Sequence, residues 1–171
     1  MVKKLTIKTC EKWKETNRTK NTSEVSERAL RGIYLKGFEI IVKDAQQWTI
    51  MSSYNKVNGT YVAEDKRLLT DVLRGEWDYE GLVMSDWFAG KSAPDMVSAG
   101  NDLLEPGTKR QWNAMKDAFE AGSLSENEID IATRRILALI FKSGKMQNYA
   151  YSENPDLDAN ALIARQAAAE G

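Results

Sequence analysis

Asp86 closes a run, Gly81-Leu82-Val83-Met84-Ser85-Asp86-Trp87, in which apolar residues lead directly into a carboxylate and an indole. A buried strand that delivers a carboxylate to its C-terminal tip is one way enclosed parallel sheets arm a reaction centre. The same residue types also make turns and helix N-caps, so the neighbours decide between the readings. Histidine is absent and cysteine occurs once, as Cys10. The commonest general base and zinc ligand are therefore missing, and acid–base chemistry falls on carboxylates, lysines or tyrosines. Neither a metal site nor a cofactor is expected. No strand leads into a glycine-rich phosphate loop, which sets a nucleotide-binding reading aside.

The elements that must position Asp86 can be read from periodicity. Leu5-Thr6-Ile7 is strand-like within an otherwise polar, basic start. Asn21 or Ser23 can cap a helix carrying Val25, Ala29, Leu30, Ile33, Tyr34 and Phe38 at helical spacing, as far as Val42 or Ala45. Gly32 and Gly37 in it suggest close packing. Trp48 to Tyr54 reads as a strand, followed by a turn at Asn58-Gly59. Asp65 to Trp77 returns to helical spacing, ahead of the strand Gly81 to Ser85. A short helix, Ala93 to Ala99, leads to a brief strand, Asp102-Leu103-Leu104, stopped at Pro106-Gly107. Helices over Arg110–Ala121 and Ser125–Ser143 follow, the second with Ser125 and Glu128 at capping-box spacing. Residues 145–171 read as an extended tail with a short helix, Ala159 to Ala169.

This alternation predicts an α/β fold of about four βα units, with parallel strands and right-handed crossovers. A closed barrel of that kind needs eight strands. The 171 residues are read as one partial-barrel domain, with 1–20 divergent at its start.

Composition bounds the partners. Lys+Arg 24 stand against Asp+Glu 25, so no bulk field favours nucleic acid or an anionic membrane. One cysteine excludes an internal disulfide framework. No stretch has the length of a membrane span, and Lys3-Lys4 lacks the apolar run of a signal peptide. The expectation is a cytoplasmic chain, unless a leader lies upstream.

Five segments carry a family resemblance: Glu15-Thr16-Asn17-Arg18, Ser26 through Glu39, Met51 through Gly59, Leu68 through Arg74, and Gly81 through Trp87. In this order they resemble successive parts of a glycoside hydrolase family 3 β-glucosidase, and the likeness runs from about Glu15 to Gly171. It implies the C-terminal half of a TIM-type (β/α)8 catalytic barrel, because the family's first four βα units precede these motifs.

The resemblance implies Asp86 as the nucleophile that forms a covalent glycosyl-enzyme on a β-glucoside. Trp87 would wall the sugar subsite, with Met51 and Tyr54 beside the nucleophile; plain packing at the strand end is the alternative for Trp87 and Tyr54. A family Lys-His pair has its nearest match at Lys8-Thr9, so Lys8 is a candidate sugar ligand and the histidine's contribution is missing. The family's general acid comes from a sandwich domain that this chain lacks. Glu105 is the candidate acid/base in its stead, with Asp102 and Glu64 as further carboxylates near strand ends, and a solvated turn as the other reading of Glu105. Half a barrel would leave strand edges open and an inward face, including Ile50, Leu82 and Met84, exposed, so a homodimer is expected. The alternative to a retaining β-glucosidase is an inactive, self-associating half-barrel that binds sugars weakly at most.

Overall fold

Alternation along one short strand organises the structure. In the computed structural model, which describes Val2–Leu5 as backbone and residues 16–171 in full, strand β3 (Thr49–Ser52) buries Ile50 and Ser52 completely and leaves Thr49 and Met51 half-buried. It is the middle of a three-stranded sheet between β1 (Val2–Leu5) and β6 (Leu82–Ser85), with both pairings parallel. Register sets Met51 opposite Met84 and Ser52 opposite Ser85. Beyond β6, a single parallel bridge joins Met84 to Leu103. The brief strand expected over 102–104 is reduced to that bridge, continued by the Ser85 N–H donating to the Leu103 carbonyl at 2.9 Å.

Parallel strands need crossovers, and these are helical. Between β1 and β3 the chain forms β2 (Thr22–Ser23), a first turn α1 (Glu27–Ala29), a π-helical stretch over Leu30–Tyr34, and α2 (Lys36–Ala45). Asn21 and Ser23 do not cap this helix, because β2 takes up their stretch by pairing with β4 (Lys56–Val57); Ser26 caps instead. The Asn58-Gly59 turn links β4 to β5 (Thr60–Tyr61), both turn residues having positive φ, as a two-residue hairpin requires. Asn58 also binds Val25 at both backbone groups, at 2.8 and 2.9 Å, which fixes the approach to α1. Nothing lies within 4 Å of a β-carbon built on Gly32 or Gly37. The close packing expected at these glycines is absent, because both face away from the core.

Between β3 and β6 run a 3₁₀ turn (Val62–Glu64) and α3 (Arg67–Glu76), wound as a π-helix after the Asp65 side chain accepts the Leu68 N–H. Its Leu68, Leu69, Val72 and Leu73 join Leu30, Val42, Ile50 and Val83 in one buried cluster. Ile50 and Val83 therefore face the helices, and their neighbours Met51 and Met84 take the opposite face. This corrects the expected inward face: Ile50 and Leu82 are buried, and Met84 is half-buried.

The helices α4 (Ala93–Ala99), α5 (Lys109–Glu120) and α6 (Glu126–Lys142) follow. Ser125 and Glu128 make the reciprocal bonds of the capping box at the start of α6. The chain divides into two compact units, Met1–Ile140 and Phe141–Gly171. The second contains α7 (Leu157–Glu170), capped by Asp156, and an edge-on Tyr149–Tyr151 pair at 5.2 Å. No helix among the described residues is long and apolar enough to cross a membrane.

Tyr79 links the end of α3 to β6. Its buried hydroxyl donates to the Leu82 carbonyl at 3.1 Å, and burial holds the phenol well above the usual tyrosine range. A tyrosine whose pKa is higher in the folded chain stabilises the fold fully below the unfolded value, about 10, and that contribution is lost as pH climbs towards the folded value. Urea unfolding midpoints are expected to fall from pH 9 to pH 11, and to fall less in Tyr79→Phe. An equal fall in both proteins would remove Tyr79 from the account.

Candidate active site

Asp86 is the first residue past β6, and alternation from Met84 turns its side chain away from the helices. Its N–H donates to the Ser52 carbonyl at the end of β3, at 3.0 Å, so the two strand ends are tied together at the carboxylate. One carboxylate oxygen, Oδ1, accepts the Trp87 N–H at 2.8 Å. Tyr54, two residues past β3, hydrogen-bonds to Asp86; burial first, and then this carboxylate, hold its phenol above the usual range. Tyr54 thus stays protonated through neutral pH and serves the carboxylate as a hydrogen-bond donor.

Met51 lies on the same face as Met84, its partner in register. Trp87 is 56% exposed and meets Phe88 edge-on at 6.2 Å. Asp86 and Tyr54 thus meet just past the ends of β6 and β3, with Met51 within β3 and Trp87 next to Asp86 in the chain. Lys8 lies outside the described residues.

Sequence reasoning did not single out Arg18 as a site residue. Its guanidinium lies 5.1 Å from the centroid of the Tyr54 ring, where a cation is attracted to the aromatic face, and it pulls against the upward shift of the phenol. The available signal was its position at the end of the Glu15–Arg18 motif.

Two of the three spare carboxylates are committed elsewhere. Glu64 accepts the N–H groups of Lys91 and Ser92 and so holds the entry to α4. Asp102 is buried and accepts from Arg74 at 2.7 Å, from Arg135 at 2.9 Å and from the Val83 N–H at 2.8 Å. Neither is presented as a proton donor. Glu105 meets β6 through its backbone: its N–H donates to the Ser85 hydroxyl at 2.8 Å, and its carbonyl accepts the Phe88 N–H at 3.1 Å. A second buried link joins the Ser52 hydroxyl to Asn101, whose amide donates to the carbonyls of Ala63 and Met96. Among the described residues no group of three or more histidine, cysteine or acidic side chains could hold a metal ion.

Comparison with known proteins agrees on one lineage. The model of the glycosyl hydrolase family 3 N-terminal domain matches residues 12–139. The chain is 43% identical over 148 residues to thermostable beta-glucosidase B of Acetivibrio thermocellus, covering 85% of this chain and 19% of that protein. It is 39% identical over 159 residues to an exo-alpha-(1->6)-L-arabinopyranosidase of Bifidobacterium longum, covering 91% and 20%. The structure of beta-glucosidase 3B from Thermotoga neapolitana in complex with glucose superposes with a TM-score of 0.78 at 45% identity, over 87% of this chain and 22% of that one. The chain spans about a fifth of the length of these relatives.

Proposed function

Because the chain belongs to glycosyl hydrolase family 3, we propose that it cleaves β-glucosides with retention of configuration, with Asp86 as the nucleophile. The observation that carries this reading is the carboxylate at the tip of β6, oriented by Tyr54 and by its own neighbour's N–H. Asp86 attacks the anomeric carbon as the bond to the leaving oxygen breaks, forming a glycosyl ester that water then hydrolyses. Trp87 offers an apolar face to the C–H face of the sugar ring, Met51 lines the floor, and Arg18 supplies a cationic donor to its hydroxyls. Glu105 is the one of the three spare carboxylates not committed elsewhere, and the leaving-group dependence of the rate decides whether it serves as acid and base.

General acid catalysis is worth roughly 10²–10⁴-fold, and Glu105 meets the end of β6 and the following turn through its backbone. Activity is therefore expected on p-nitrophenyl β-glucoside and to collapse on methyl β-glucoside, whose leaving group needs a proton. The p-nitrophenyl α-L-arabinopyranoside serves as a second substrate, since a relative of similar identity bears that specificity in its name. Equal rates on the nitrophenyl and methyl glucosides would show a working acid. No hydrolysis of either nitrophenyl glycoside would favour a second reading, an inactive chain that binds sugars weakly at most.

The same proposal includes a half-barrel. Among the described residues, three parallel strands and the Leu103 bridge make four positions of the eight a closed barrel needs. Ile33 and Ile40 are exposed in the helical crossover before β3, and Leu137 and Ile140 lie exposed on α6. A two-fold pair of chains would bring the count to eight and cover such surface. Light scattering is expected to give twice the 19.3 kDa chain mass; a stable monomer at micromolar concentration contradicts the dimer.

A further inference from the structure

We infer that Ser85 is a positioning residue: its buried hydroxyl holds the Glu105 backbone, and through it the turn that aims Asp86 and Trp87. The inference rests on reading Asp86 as the nucleophile. Ser85 is fully buried, and alternation turns its side chain to the face opposite Asp86, so it cannot touch a sugar. Its Oγ accepts the Glu105 N–H, and the Glu105 carbonyl accepts the Phe88 N–H. Phe88 belongs to the tight turn closed by the Ala89 N–H donating to the Asp86 carbonyl at 3.0 Å.

That turn requires a hold from outside itself. Phe88 has φ +61°, a left-handed conformation that a bulky side chain seldom adopts. The relay from Ser85 through Glu105 to Phe88 supplies the hold. It also gives Glu105 a second role, as a backbone strut between Ser85 and the turn. The strand itself does not depend on the hydroxyl, because the Ser85 N–H bonds the Leu103 carbonyl whatever the side chain. Ser85→Ala thus removes the relay and spares the sheet, while Ser85→Thr keeps an acceptor in place.

Two measurements on the full chain decide the matter. Amide hydrogen exchange is expected to speed up at least about tenfold at Glu105 and Phe88 in Ser85→Ala, with Leu69 in the core unchanged and Ser85→Thr close to the unsubstituted protein. The saturating rate of Asp86 modification by 2-deoxy-2-fluoro-β-glucosyl fluoride is expected to fall about 10- to 100-fold in Ser85→Ala, at an unaltered half-saturating concentration. Unchanged exchange at Phe88, or equal acceleration at Leu69, would overturn the inference. No modification of the unsubstituted chain would sink the nucleophile reading instead, and the exchange result would still decide whether Ser85 holds the turn.

Discussion

Asp102→Ala is expected to lower folding stability by about 3–5 kcal/mol, the range for removing one partner of a buried ion pair. The carboxylate is almost inaccessible and satisfies three donors from three parts of the fold: Arg74 of α3, Arg135 of α6 and the β6 backbone at Val83. Burial already pushes the Arg74 guanidinium down, and Asp102 is the opposing charge that favours its ionised form. Without the carboxylate, Arg74 keeps carbonyl partners at Tyr79, Gly81 and Gly100 and the face of the Tyr79 ring, none of them a counter-charge, and the Val83 N–H loses its acceptor. Asp102→Asn retains the shape and one acceptor, so its loss should be smaller. Urea denaturation measures both. A loss below about 1 kcal/mol for the alanine variant would mean the cluster is an ordinary surface pair in its effect.

Asp86→Asn is expected to cut hydrolysis of p-nitrophenyl β-glucoside on the order of 10⁴–10⁶-fold, the scale seen when a covalent nucleophile is removed from a catalytic unit. The amide is nearly the same size and its oxygen can still accept the Trp87 N–H. The unfolding free energy should therefore change by no more than about 0.5 kcal/mol. That pairing matters: lost activity with retained stability assigns chemistry to Asp86, whereas a joint loss would make it a turn residue. Equal rates in the two proteins would assign the hydrolysis to something else.

Much of this site is written in local pattern. The run from Gly81 to Ser85 reads as a strand because apolar residues continue to its end, and a carboxylate after it has few other places to go. The Asn58-Gly59 hairpin and the Ser125–Glu128 capping box are turn chemistry that a short window specifies. What escaped the sequence depends on neighbours far along the chain. Ile50 sits in a parallel strand only four residues long, where each face carries one apolar and one hydroxyl residue and period alone does not say which meets the helices. Glu64 and Asp102 look like spare carboxylates until α4, Arg74 and Arg135 are folded against them. Gly32 and Gly37 suggested close contact and face open space, since a glycine in a helix carries no label for the side it packs on. Arg18 stood in a recognisable motif, but its closeness to Tyr54 arises only once residues 18 and 54 meet in space.

The central claim is that Asp86 is the group that bonds to the sugar. Incubation of the purified chain with 2-deoxy-2-fluoro-β-glucosyl fluoride tests it without needing a general acid, because fluoride leaves unassisted. The account predicts one added fluoroglucosyl mass per chain, mapped by peptide sequencing to Asp86 and absent from Asp86→Asn. An unmodified chain, or a label on any other carboxylate, would contradict it.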